Sequence, residues 1–528
     1  MRRFDRPGRS PVIAENGMAA TSHPLASAAA IAVLRDGGNA VDAAVAAAAT
    51  LAVVEPHMTG IGGDCFVILA EPDGTIHGLN GSGRAAAKAE TGWYVENGFA
   101  EIPGHSPHAV TAPGAIRAWE TLHARFGKLP FDRLFADPIR YAEDGFAVAP
   151  RVASDWAKEA ETLKADEGAC RHLLPNGKTP AVGDRMRFPA LARTLRAIAK
   201  DGANAFYEGP VAAEIARVIQ ARGGFLDEAD LAAVTADWVQ PIGTDYAGFE
   251  VLELPPSGQG VVALILLNLL DIIETRSMAP GSAERYHHEV EAARLAYAVR
   301  DAMLADPEHM MVSPEVLTSR DYAAKLSFQI DPKRRNTDIV VPPAPNSDTI
   351  YLTVADRDGR AVSFINSLYA AFGSQIVTPE SGVVLQNRGA CFRVEEGHPN
   401  TIAPRKRPLH TIIPAMVLKD GKPAVSFGVM GGAYQPMGHA HVFSNLADHG
   451  MDPQEALDHP RLFWDGAGVL GLEAGIDPAV AEALAAKGHA VAPADSPWGG
   501  GQVIAIDHDR GFFMAGSDPR KDGQAIGY

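Results

Sequence analysis

Short glycine turns set between runs of β-branched and aromatic residues do most to limit how this chain can fold. In "TIYLTVADRDGRAVSFINS" the turn falls at Asp358-Gly359, and in "IIPAMVLKDGKPAVSFGVMGG" at Asp420-Gly421. Two more, Pro72-Asp73-Gly74 and Arg510-Gly511, interrupt "DCFVILAEPDGTIHGLNGSG" and "QVIAIDHDRGFFMAGSDPR". Such turns are hairpin signals, and a hairpin makes its two strands antiparallel neighbours. Helical patterns come in blocks, not one per strand. The expected class is α/β with antiparallel sheets covered by helices, not a run of βαβ units.

The helical blocks are legible from their stops. "SHPLASAAAIAVLRDGGNAVDAAVAAAATLAVVEP" reads as two helices. The first starts after Ser22 and stops at Gly37-Gly38; the second begins at a cap, Asn39, and stops before Pro56. Their small side chains allow close packing against a neighbouring layer. Residues 111–330 read as mostly helical, with "DRLFADPIRYAEDG", "LARTLRAIAKDG" and "GPVAAEIARVIQARGG" each ending in glycine. "PPSGQGVVALILLNLLDII" runs from a loop into a buried helix, and "ERYHHEVEAARLAYAVRDAML" reads as a longer amphipathic one. "VPPAPNSD" (341–348) is expected to be an exposed, proline-rich connector.

A length of 528 residues allows three domains or one large layered domain. With 46% hydrophobic and 21% charged residues, a large core can form. The net charge of −17 argues against nucleic acid or an anionic membrane as partner. The basic N-terminus "MRRFDRPGRSPVIAENG" lacks the apolar core of a secretory signal. "AVDAAVAAAATLAVV" carries Asp42 and is too short to cross a bilayer, so a soluble cytoplasmic protein is expected. Cys65, Cys170 and Cys391 form neither a metal spacing nor a disulfide framework.

Taken singly, the candidate site residues are ambiguous. Paired positions in an antiparallel hairpin sum to a constant, near 715 or 716 for the turn at Asp358-Gly359, which sets Thr349 opposite Asn366 or Ser367. In the second case two hydroxyls share one face at the open end of the hairpin. "GIGG" (60–63) precedes a strand, whereas a phosphate loop should open a helix. "HHEVEAAR" sets His287, Glu291 and Arg294 near one helical face, where salt-bridged packing is the default and no metal site is expected. "MGGAY" (430–434) could offer two adjacent amides to an anion, or be a plain turn. His410 and Thr411 in "KRPLHTIIP" would by themselves be polar loop residues.

In this order, "SHPLASAAAIAVLRDGGNAVDAAVA", "VEPHMTGIGGDCF", "PPSGQG", "DTIYLTVADRDGRAVSF", "FGSQIVTPESGVVLQN", "APRKRPLHTIIPAMV", "VMGGAYQP", "ALDHPRLFW" and "AGSDPRKDGQAIGY" resemble the γ-glutamyltransferase family of N-terminal-nucleophile hydrolases. The resemblance covers nearly the whole chain. It implies an αββα four-layer sandwich made as one inactive chain that cuts itself before a threonine. Here the bond would be Asp348–Thr349, leaving subunits of 1–348 and 349–528. Thr349 would be the nucleophile, Ser367 its hydroxyl neighbour, and Gly431 and Gly432 the oxyanion glycines. His410 and Thr411 occupy the place of two serines that hold the donor's carboxylate. The resemblance implies a small-molecule amide substrate, no cofactor and no metal, and allows for a homodimer of the processed unit.

The departures concern the donor. Ser82 stands where the family has a carboxylate-clamping arginine, with Arg84 two residues on. Cys391 stands where an aspartate should bind the donor's amino group, with Arg388 nearby, and Tyr369 replaces an asparagine that reads the donor. Losing the acid while gaining arginines suits a carboxylate-bearing donor without an α-amino group. The pattern looks like the oxamate amidohydrolase and acylase branch. The alternatives are a glutathione hydrolase acting on γ-glutamyl compounds, and an unprocessed binding protein on the same scaffold. Ile350 and Tyr351, where most members have threonine and histidine, keep the last one open.

Overall fold

Two seven-stranded sheets stacked face to face carry the core of the computed structural model, which describes residues 8–339 and 348–528. The first sheet runs Gln524–Gly527, Gly17–Thr21, Asp348–Asp356, Ala361–Tyr369, Asp64–Ala70, Ile76–Gly81, Asp237–Val239. The second runs Val12–Ala14, Phe512–Ser517, Gly500–Asp507, Lys422–Met430, Ala415–Lys419, Phe249–Glu253, Ile242–Tyr246. All their strand pairs are antiparallel. Helices Pro24–Arg35, Ala40–Val54 and Ala115–Phe126 pack on the first sheet; Gly260–Ile272 and Gln435–His449 pack on the second, backed by Ala283–Met303. The result is the expected αββα sandwich, and the hairpins turn where the glycines placed them.

The alanine-rich helix shows why small residues matter. All fifteen residues of Ala40–Val54 are buried, so it touches its neighbours on every side. Its start is fixed by Asn39, whose side chain accepts from Val41 N and Asp42 N. The buried Asp42 carboxylate returns the bond to Asn39 N and also accepts from Lys128 N and Leu129 N. No helix among the described residues is long and apolar enough to cross a membrane.

One expectation needs correction. Ala283–Met303, expected to be amphipathic, is buried almost all round. Its charges pair inside the protein instead of facing water: Arg285 with Glu289 and Arg294 with Glu291, both at 2.7 Å, while Glu289 also meets His441 at 3.1 Å. Residues 111–330 are mostly helical, as expected, with strands set among the helices. Asp237–Val239, Ile242–Tyr246 and Phe249–Glu253 extend both sheets, and short strands broken by Pro241 and Gly248 carry little periodic signal. A small sheet of Leu462–Trp464, Leu470–Leu472 and Val491–Pro493 was also not foreseen. Most of the proline-rich connector (341–347), expected to be exposed, and the basic residues 1–7 lie outside the described residues.

Candidate active site

The hairpin delivers the pair that its arithmetic suggested. Ile350 pairs with Asn366 and Tyr351 with Ile365, and the register slips between Asp348 and Ile350 so that Asp348 pairs with Tyr369. Thr349 Oγ1 lies 3.1 Å from Ser367 Oγ, and both residues are fully buried. The other sheet sits directly against this strand. Thr353 Oγ1 bonds Ser426 Oγ at 2.6 Å, and the Tyr351 ring covers Gly428, where a Cβ would come within 2.4 Å of Tyr351 Cε2.

Gly431 and Gly432 make a turn that demands glycine. Their φ angles are +118° and +55°, and a Cβ on Gly431 would stand 2.8 Å from Gly499 Cα. The ladder to Gly500–Asp507 ends at Met430, so the two amides lie past the sheet and ahead of helix Gln435–His449. That is the positive end of a helix, where developing negative charge is favoured. Gln259, whose motif "PPSGQG" belongs to the resemblance but whose role was not foreseen, braces the turn. Its Nε2 donates to Thr411 O at 2.7 Å and Gly432 O at 2.9 Å, while Oε1 accepts from Arg300 at 3.1 Å.

Arg388 completes the cluster. It is fully buried; Nη1 donates to Thr411 Oγ1 at 2.7 Å, Nη2 to Ser367 Oγ at 3.3 Å, and its guanidinium lies 4.4 Å from the centre of the Tyr369 ring. Among the described residues no carboxylate pairs with it, and its Nε has no acceptor. Tyr369 holds a left-handed φ of +82° while its N–H donates to Ser367 Oγ at 2.8 Å. Burial, then the neighbouring Cys391 thiol, push the Tyr369 phenol up, so it stays neutral.

The other expected contacts sit further back. His410 Nε2 donates to Asp64 Oδ2 at 3.0 Å and Nδ1 accepts from Ile412 N at 3.4 Å. With both nitrogens occupied, and burial pushing its pKa down to about 3, the ring is neutral and has no free atom for a donor carboxylate. It supports the floor of the site. Ser82 donates to Gly83 O at 3.2 Å, and Arg84 lies 3.6 Å from Asp306 and 3.9 Å from Asp237. These two line a cavity of about 350 Å³ with Asp230 and Glu308, and none of their described bonds reaches Thr349, Ser367 or Arg388. No cluster of three potential metal ligands occurs among the described residues.

The family model described as gamma-glutamyltranspeptidase matches residues 26–528. The chain belongs to this family. As a gamma-glutamyltranspeptidase-family member it is an amide-bond enzyme of the N-terminal-nucleophile type. An oxamate amidohydrolase proenzyme of Klebsiella pneumoniae is 37% identical over 534 residues, covering 98% of this chain and 99% of that one. A glutathione hydrolase-like proenzyme, YwrD, of Bacillus subtilis is 36% identical over 529 residues, with 98% and 99% coverage. The crystal structure of a cephalosporin acylase from Bacillus halodurans superposes with a TM-score of 0.92 at 38% identity, over 100% of this chain and 99% of that chain. The family model thus accounts for residues 26–528, and the names of these relatives differ in what they act on.

Proposed function

We propose that the chain cuts itself between Asp348 and Thr349 and that Thr349 then hydrolyses an amide whose acyl part bears a carboxylate. The observation that carries this reading is the buried Thr349 hydroxyl, 3.1 Å from Ser367 Oγ. A hydroxyl needs a base to become a nucleophile near neutral pH. Cleavage supplies one, because the freed α-amino group has an ordinary pKa of about 8. The amine takes the Oγ1 proton, directly or through water, as Oγ1 bonds to the amide carbon. The Gly431 and Gly432 amides receive the oxyanion, the C–N bond breaks, and the departing amine takes up the proton. Water then hydrolyses the ester. Two of the named relatives are proenzymes, in keeping with a processing step.

Arg388 supports the choice of donor. A buried guanidinium without an acid beside it favours an anion and disfavours a cation. A γ-glutamyl donor would bring its α-ammonium into a site whose expected acid is Cys391. An oxamate-like or glutaryl donor brings only the carboxylate, and the relative named oxamate amidohydrolase fits that choice.

Denaturing electrophoresis tests the first half: the parent gives two fragments and Thr349→Ala stays whole. Complete cleavage of Thr349→Ala would remove this threonine from the role. A panel of oxamate, glutaryl-p-nitroanilide and γ-glutamyl-p-nitroanilide tests the second. Turnover of the γ-glutamyl compound above the glutaryl one would overturn the donor assignment.

A further inference from the structure

The strands that lead to Thr411 and to the glycine turn part at a single rung. Ala415–Lys419 and Lys422–Met430 pair as Val417 with Val425, Met416 with Ser426 and Ala415 with Phe427, where the ladder ends. The same register would set Ile413 opposite Val429. Each N–H of that rung goes to a side chain of helix Gln435–His449 instead. Ile413 N donates to Gln435 Oε1 and Val429 N to His439 Nε2, both at 3.0 Å. Gln435 and His439 are buried and stand one helical turn apart, so they occupy the fork together. One arm of the fork carries Thr411, which accepts from Arg388; the other runs on to Gly431 and Gly432. Gln259 ties the arms to each other through Thr411 O and Gly432 O.

The protons of His439 follow from its partners. A backbone N–H can only donate, so Nε2 is bare and the ring proton sits on Nδ1. Nδ1–H donates to Glu253 Oε1 at 2.7 Å, on the strand that flanks Ala415–Lys419. Burial pushes the His439 pKa down to about 3, which keeps the ring neutral. The packing around this chain of bonds is close. A Cβ on Gly438 would come within 2.8 Å of Val429 Cγ1, and one on Gly260 within 2.7 Å of Glu253 Cβ. An imidazole held at both ends fixes Val429, and the left-handed turn at Gly431 starts from there.

We propose that His439 is a positioning residue for the oxyanion turn. It holds the strands forked, so that the Gly431 and Gly432 amides face the carbonyl attacked by Thr349. Its loss is felt when the oxyanion forms and not when the donor binds, because it touches no substrate. This inference rests on the reading of Thr349 and the glycine turn given above.

Two substitutions divide the two contacts. In His439→Gln the side chain reaches as far as Nε2 did and can accept from Val429. In His439→Asn it reaches only as far as Nδ1 did and can keep Glu253. The probe is glutaryl- or γ-glutamyl-p-nitroanilide, whichever the parent turns over faster, with rates counted per cleaved chain. His439→Asn should lower kcat at least about ten-fold with KM unchanged, and His439→Gln should recover most of that loss. A kcat unchanged in both variants, a loss in His439→Gln equal to or larger than that in His439→Asn, or a loss confined to KM overturns the proposal. Nitrogen NMR of the histidine rings adds a readout without turnover, with the His439 signals assigned by their absence from either variant. Nδ1 should be protonated and Nε2 bare; a proton on Nε2 overturns the proposal, even where one variant fails to fold or to cut itself. Failure of the Thr349 reading would appear separately, as a Thr349→Ala chain that still cuts itself.

Discussion

At the scale of single residues, the site places charges where stability alone would not. Arg388 is buried against two hydroxyls and an aromatic ring. Replacing a buried charge with an apolar side chain of similar volume is often neutral or stabilising. Arg388→Met should therefore unfold within about 1 kcal/mol of the parent, or later, while kcat/KM for a carboxylate-bearing donor falls roughly 100-fold or more. Urea unfolding and steady-state kinetics on the same preparation check both halves, and a large loss of stability would show that the arginine serves the fold. Glu55 makes a second case. Desolvation raises its pKa from about 4.5 to about 7, against the opposing Ser22 hydrogen bond and Lys521, with Asp522 and Asp155 adding to the rise. Between those pH values the folded protein holds a proton that the unfolded chain has released. Stability therefore falls as pH rises from about 4.5 to about 7, by ~3 kcal/mol from this group. Glu55→Gln, which keeps a side-chain oxygen for Ser22, should lose that component of the pH profile of thermal unfolding. A profile unchanged in the variant would refute the assignment.

At the scale of elements, what could be read from sequence depended on local signals. The turn at Asp358-Gly359 narrowed the partner of Thr349 to Asn366 or Ser367, because hairpin pairing follows from turn position, and the fold brings it to Ser367. The Asn39 cap and the glycine stops were likewise local. Ala283–Met303 misled because charges that pair along one helix can be buried as well as exposed, and the layers that cover them, with His441 from a distant helix, come from elsewhere in the chain. The pairing of Arg84 with Asp237 and Asp306 was invisible because both acids are far away in sequence. Tyr351, a departure from the family pattern, now has a place: its hydroxyl bonds Ser363 Oγ at 2.7 Å and its ring fills the space over Gly428. It packs the two sheets together one alternation from Thr349. Gly428→Ala should then cost ~1–3 kcal/mol through overpacking. Combined with Tyr351→Leu it should show a coupling of at least ~0.5 kcal/mol in a double-mutant cycle. Simple additivity would mean that ring and glycine do not share this space.

At the scale of the whole molecule, the two halves of the chain are woven through each other. Strand Asp348–Asp356 lies between Gly17–Thr21, from the first half, and Ala361–Tyr369, from the second. Ala361–Tyr369 in turn pairs with Asp64–Ala70, and in the other sheet Phe249–Glu253 pairs with Ala415–Lys419. Buried polar bonds cross the same divide: Asp64 accepts from Gln386 at 2.9 Å, and Glu214 from Ser381 N at 3.0 Å. A cut before Thr349 removes one covalent bond and none of these, so the pieces should not part without unfolding. Under denaturing conditions the processed protein should give bands of roughly 37 and 19 kDa, the shares of 55.8 kDa that belong to 348 and 180 residues. In native size exclusion both fragments should elute together, and their unfolding in urea should follow one shared transition because neither half holds a complete sheet. A fragment of roughly 37 kDa that elutes alone in native buffer would contradict the interleaving and with it the idea that one layered body survives the cut.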